Sequence, residues 1–175
     1  MTHGRKPRQV RWSPWVNTMA TVKARVALIT TADLADVMDP IDKAFTAMRQ
    51  AVGSEMDWAH LCSAINVAQG VEKQGIVRGI YGHLHAAELA LQAIKQRAMT
   101  QPTRMGNWAP VELHIDEIEI IKEAILLHKY QLKKLSTGEA MRAINYAQAE
   151  VRSTGGTVLQ APATTGPQPQ AALFA

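Results

Sequence analysis

A chain of 175 residues that is 47% hydrophobic is long enough for one core-bearing domain and too apolar for disorder throughout. The net charge is +4, and a single cysteine, Cys62, excludes an intramolecular disulfide. No apolar run approaches the ~18 residues of a membrane span, and the start lacks the apolar core and small-residue cleavage site of a secretory signal, so the expectation is a soluble protein inside the cell.

Aromatic residues make up only 5% of the chain while alanine is abundant, a mixture that suits helices better than strands. The charge is unevenly spread. Residues 1–32 carry six basic side chains and no acid, residues 33–152 hold 13 basic against 15 acidic, and residues 153–175 carry no charge. The basicity therefore belongs to an arm over residues 1–30. Gly4, Pro7 and Pro14 break any helix there, and Val22 to Ile29 is at best a short helix that docks on the body.

Regular structure is expected from Thr30, which stands in capping-box spacing to Asp33 ahead of Leu34, Val37 and Met38. Asp39-Pro40 reads as a fresh helix start, followed by Ile41, Phe45, Met48 and Val52 on one face, with Gly53 as the stop. Ser54 and Asp57 cap the next segment, whose stripe is Trp58, Leu61, Cys62, Ile65 and Ala68. A break near Gly75 precedes a helix from about Val77 to Met99 carrying Ile80, Leu84, Ala87, Leu91 and Ile94. Gly79 and Gly82 fall inside that pattern, which a closely packed neighbouring backbone would explain.

Residues 100–109 read as a loop, and Pro110 as the first residue of the strongest helix. Its stripe of His114, Ile118, Ile121, Ile125, His128, Leu132 and Leu135 alternates steps of four and three, the seam of a coiled coil or antiparallel bundle. Glu119 and Lys122 can pair on its outer face. Ser136 and Glu139 cap a last helix bearing Met141, Ile144, Ala147 and Val151, which stops at Gly155-Gly156. The remainder, rich in Ala, Pro, Thr, Gln and Gly, reads as a disordered tail. The expected architecture is all-α: a four- or five-helix antiparallel bundle over residues 31–154, between a basic N-terminal arm and a disordered tail over 155–175.

Catalytic chemistry has little support. The six histidines do not fall into metal-ligand spacing: His83 and His85 lie on different helix faces, and Asp57 with His60 supplies half a site. No nucleophile elbow or phosphate loop is present, and Cys62 in mid-stripe reads as core. The expectation is a protein without catalytic residues, metal or cofactor, and with no small-molecule substrate. His114 and His128, about 21 Å apart along one helix, cannot share a ligand, and each reads as lying at the stripe edge with a nitrogen reaching water.

Two binding surfaces are candidates. Arg5, Lys6, Arg8, Arg11 and Trp12 in the arm combine phosphate-pairing cations with an aromatic ring, for a nucleic acid or an acidic partner. Gly4-Arg5-Lys6-Pro7-Arg8 loosely resembles the Gly-Arg-Pro core of minor-groove AT-hooks, with Lys6 inserted. Ile118, Ile125, His128 and Leu132 on the long-helix seam are the candidate interface with a protein partner or a second copy.

The order of segments, from Asp57-Trp58 through Ala64-Ile65-Asn66-Val67-Ala68, then Leu127-His128-Lys129-Tyr130-Gln131-Leu132 and last Ala140 to Val151-Arg152, resembles small helical proteins of bacteriophages, prophages and other mobile elements. The resemblance covers roughly residues 33–152. It implies a cytoplasmic accessory protein in a bacterial host cell that occupies a host or phage macromolecule, defence inhibitors being one such class. It brings no catalytic or binding residues.

Overall fold

Three helices begin where a hydroxyl and an acid stand three residues apart, because the pair satisfies two backbone N–H groups that a helix start leaves open. The Thr30 hydroxyl accepts from the Asp33 N–H while the Asp33 carboxylate accepts from the Thr30 N–H, both at 3.1 Å. Ser54 with Asp57 and Ser136 with Glu139 repeat the exchange. The computed structural model describes residues 22–100 and 107–155. Among the described residues five long helices occur, α1 (Thr31–Arg49), α2 (Glu55–Lys73), α3 (Tyr81–Met99), α4 (Ile115–Leu132) and α5 (Thr137–Ser153), preceded by a helical stretch over 22–26. No strand occurs among the described residues, and the chain is all-α as expected. The basic arm up to residue 21 and the tail from residue 156 lie outside the described residues.

Helix α1 is one helix where the sequence suggests two, since Pro40 sits inside it. Asp36 and Pro40 are both exposed, so the carbonyl that loses its donor meets water instead of the core. The stop also differs. The helix ends at Arg49, and Ala51 takes the left-handed conformation with φ 56°. Its N–H donates to the Met48 carbonyl and the Val52 N–H donates to the Ala47 carbonyl, a Schellman closure made with alanine where glycine is usual. Val52 is therefore past the helix and exposed, not on the core stripe.

Between α2 and α3, Gly75 and Gly79 have positive φ and form the turn, so α3 begins at Tyr81 and not at Val77. A Cβ added at Gly79 or Gly82 would meet nothing within 4 Å, which removes close packing as their explanation. The Glu72 carboxylate, at the end of α2, accepts from the Gly79 and Ile80 N–H groups and supplies the polar partner that α3's own cap residue, Ile80, lacks.

Pro110 does not open α4; residues 107–114 are non-helical. Three tertiary bonds hold them out of the helix. The Ala109 N–H donates to the Ala98 carbonyl, Trp108 Nε1 donates to the Gly53 carbonyl at 2.9 Å, and Arg97 makes a two-pronged ion pair with Glu117 at 2.6 and 2.7 Å. Glu117 also accepts from the His114 N–H, which sets the helix start at Ile115. Burial pushes the Glu117 carboxyl up, but the hydrogen bonds from Arg97 and His114 outweigh it and hold the group below the usual carboxylate range. The Glu119–Lys122 pair does not form.

Helix α2 is the hub: α1, α3, α4 and α5 all pack on it, and α4 also meets α1 and α3. Its Leu61, Ile65, Ala68 and Val71 join Met38, Leu84, Leu91, Ile94 and Ile121 in one core. Gln131 of α4 reaches across to donate to the Ala68 carbonyl at 3.1 Å. Four helices thus supply most of the core, and α5 packs chiefly on α2, adding Ala143 to that core. Its approach is close at one point, where a Cβ added to Gly70 would stand 3.0 Å from the Ala143 carbonyl oxygen.

Two stability changes follow. Ala51→Gly relieves left-handed strain and should stabilise the fold by about 1 kcal/mol, raising the urea midpoint at unchanged slope. A lower midpoint would show that Ala51 is unstrained. Gly70→Val forces α5 off α2 and should cost about 1–3 kcal/mol in the same titration; an unchanged midpoint would contradict the close approach.

Candidate functional site

Three of the four seam residues expected to meet another chain are spent inside this one. Ile125, His128 and Leu132 are 5%, 2% and 4% exposed and face the protein's own core, and Ile118 is half-buried. Ile125, His128 and Leu132 cannot form a partner or dimer surface without unfolding the bundle. The physical reason is that α4 is surrounded by α1, α2 and α3, so its apolar seam finds its partners within the chain. Arg5, Lys6, Arg8, Arg11 and Trp12 lie outside the described residues.

His128 also departs from the expected stripe edge. Burial pushes its imidazole down to about 4, so it is neutral in the folded protein at pH 7. Its Nδ1 and the Gln131 Oε1, three residues on, have no hydrogen-bond partner among the described residues. His114 is exposed and serves as the cap residue of α4.

The surface left open lies on the opposite side of α2. A groove of about 810 Å³ runs between the N-terminal two-thirds of α2 and the C-terminal half of α5, with Lys95 of α3 on its rim. Local sequence explains its floor. On α2, Trp58, Cys62 and Val67 are only half-covered, because Leu61, Ala64, Ile65 and Ala68 face the core. On α5 the buried face is Ala143 and Ala147 alone, so of the expected stripe only Ala147 is buried, and Met141, Ile144 and Val151 are not. Ile144 and Val151 are half-buried on the groove wall, and Met141 is exposed.

Trp58 is held rigidly in that wall. Its Nε1 donates to the Leu91 carbonyl at 2.8 Å, its ring lies 6.1 Å from that of Trp108, and Lys95 Nζ stands 4.7 Å from its centroid. A fixed aromatic with its polar atom already satisfied offers apolar area at little entropic cost. Met56, exposed beside it, adds an adaptable side chain. Cys62 opens on the same groove, but burial pushes its thiol up to about 12, so it is a protonated apolar group and not a nucleophile.

The remaining polar clusters do not converge. His83 pairs with Glu123 at 3.3 Å and His85 with Glu88 at 3.4 Å, each on the surface and apart. Asp57 is occupied by the Ser54 cap. Among the described residues no three His, Cys, Asp or Glu side chains come together as a metal site. No described helix is long and apolar enough to cross a membrane. No protein-family model, curated protein or solved structure matches the chain.

Sequence periodicity assigned Trp58, Cys62, Ile144 and Val151 to apolar stripes, and it had no means to show that these parts of two stripes are left uncovered. The available signal was the alanine pair in α5. Two buried alanines cover too little area to account for a helix that also carries Met141, Ile144 and Val151.

Acidification should expose the cost of burying His128. The unfolded chain binds a proton near pH 6.5, and the native imidazole does so only near 4. Stability is therefore full above about pH 6.5 and falls as the pH drops toward 4, by about 3 kcal/mol in total. The upper half of that window lies above carboxylate titration. His128→Leu should flatten it in denaturation at pH 7, 6 and 5; an unchanged slope would place the titration elsewhere.

Proposed function

We propose that this protein is a non-enzymatic accessory protein that binds and modulates a protein partner through the α2–α5 groove. The single observation that carries the reading is an apolar trough bordered by two helices, with a locked tryptophan in its wall and no convergent acid–base or metal chemistry among the described residues. The lining of α2 runs from Ser54 to Val67, about 20 Å of helix axis. That length suits a helical segment of about a dozen residues laid along the trough, anchored by apolar side chains at i, i+3 or i+4 and i+7. It is long for a small ligand held on all sides. The resemblance to helical proteins of phages and mobile elements supports a partner in the bacterial cytoplasm, and inhibition of a host defence factor is the modulation such a protein would exert.

Nuclease-treated lysate of the bacterial host, passed over immobilised protein, tests this. Met56→Glu and Val151→Glu place charge in the groove and should each abolish capture of a discrete partner, while Leu126→Glu, on the exposed face of α4, should leave it intact. Capture lost equally in all three, or kept in both groove variants with circular dichroism unchanged, would remove the groove as the binding site.

A further inference from the structure

The expected docking of the segment near Val22 to Ile29 does occur, and it builds a surface that no single stretch of sequence contains. The Ile29 N–H donates to the Leu135 carbonyl at 3.2 Å, and the Thr137 N–H donates to the Ala27 carbonyl at 2.9 Å, on either side of an antiparallel bridge between Leu28 and Ser136. Gly138 is required there, because an added Cβ would stand 2.8 Å from the Arg25 carbonyl oxygen and 3.2 Å from the Arg25 Cβ. Every side chain from Val22 to Leu28 is exposed, so the segment is held by its backbone and its side chains take no part in the core.

This pairing brings Lys23 and Arg25 to the α4–α5 turn, which carries Lys133 and Lys134 and is flanked by Lys129 in α4 and Arg142 in α5. Residues 22–30 and 129–142 together hold those six cations against one acid, Glu139. Glu139 is tied up in the Ser136 cap, and Asp33, the next carboxylate along the chain, in the Thr30 cap. None of the six cations has an ion-pair partner among the described residues, whereas Lys43, Lys73 and Arg97 elsewhere do. Tyr130 stands among them, 53% exposed, with Lys134 Nζ 5.5 Å from its ring centroid. Upstream of Val22 the sequence adds Arg5, Lys6, Arg8 and Arg11.

We infer that the α4–α5 turn and the backbone-paired segment 22–29 form a nucleic-acid site that grips the phosphate backbone through Lys23, Arg25, Lys133, Lys134 and Arg142 and stacks a base or sugar on Tyr130. Gathering like charges costs self-repulsion, which a polyanion relieves by releasing its condensed counterions. An exposed ring beside cations is the pairing that single-stranded and backbone-tracking sites use. The site is separate from the α2–α5 groove, so a protein partner and a nucleic acid can be held together.

Fluorescence anisotropy with the full chain tests the site. The probes are a 20-bp mixed-sequence DNA duplex, the same sequence as single-stranded DNA and as RNA, and vesicles with one-third phosphatidylserine. The variant Lys133→Glu/Lys134→Glu/Arg142→Glu is compared with a control of equal charge change, Lys43→Glu/Arg78→Glu/Lys122→Glu, both checked by thermal melting. The site predicts binding to at least one nucleic acid at 50 mM salt, weakened at least tenfold by the first variant and less than threefold by the control. With duplex DNA, the slope of log affinity on log salt should fall by about three, the loss of three phosphate contacts. Tyr130→Ala should weaken the single-stranded probes more than the duplex. Equal losses in the two triple variants, no nucleic-acid binding at 50 mM salt, or binding confined to the vesicles would each overturn the proposal.

Discussion

The contact between Gly70 and Ala143 governs what this protein presents to its surroundings. An added Cβ at position 70 would stand 3.0 Å from a backbone oxygen, so α5 sits against α2 backbone to backbone at that crossing. Lys73 then reaches Glu150 at 2.6 Å on one side, with its ammonium 5.4 Å from the Tyr146 centroid. On the other side Gln148 and Val151 overlook the N-terminal part of α2 across open space. The groove exists because α5 is buried only through the small side chains of Ala143 and Ala147, which leaves the rest of its apolar flank uncovered.

Helix α2 can serve as hub because its small residues occur where neighbours cross. Ala64 and Ala68 face the core, and Gly70 faces α5. The large residues between them divide in two: Leu61, Ile65 and Val71 complete the four-helix core, while Trp58, Cys62 and Val67 border the groove. The cost of this arrangement is polar. Gln131 is buried in order to bond the Ala68 carbonyl, and His128 is kept neutral beside it. Buried polar groups of this kind stabilise little on balance, but they disfavour a shifted α4 that would leave more of them unpaired.

Function would then reside at the two ends of α5. The groove uses the C-terminal half of α5, and the cationic surface uses its N-terminal turn. Residues 22–29 bind that turn through backbone atoms, which leaves Lys23 and Arg25 outward. The long-helix seam, the most regular pattern in the sequence, contributes to neither surface, because Ile121, Ile125, His128 and Leu132 are covered by α1, α2 and α3.

What the sequence determined by itself was local. The starts of α1, α2 and α5 were legible from Thr30/Asp33, Ser54/Asp57 and Ser136/Glu139, since those bonds close within three residues and need no other part of the chain. The all-α class was legible from composition and period for the same reason. Tertiary structure shared in deciding where α4 begins: the His114–Glu117 cap is local, but Pro110 favours an earlier start that the Glu117 pair with Arg97, 20 residues away, helps to overrule. It also decided which stripes are covered. Ile125 and Val151 look alike in sequence, but one is enclosed by three helices and the other borders a groove, because coverage depends on contacts between residues far apart in the chain.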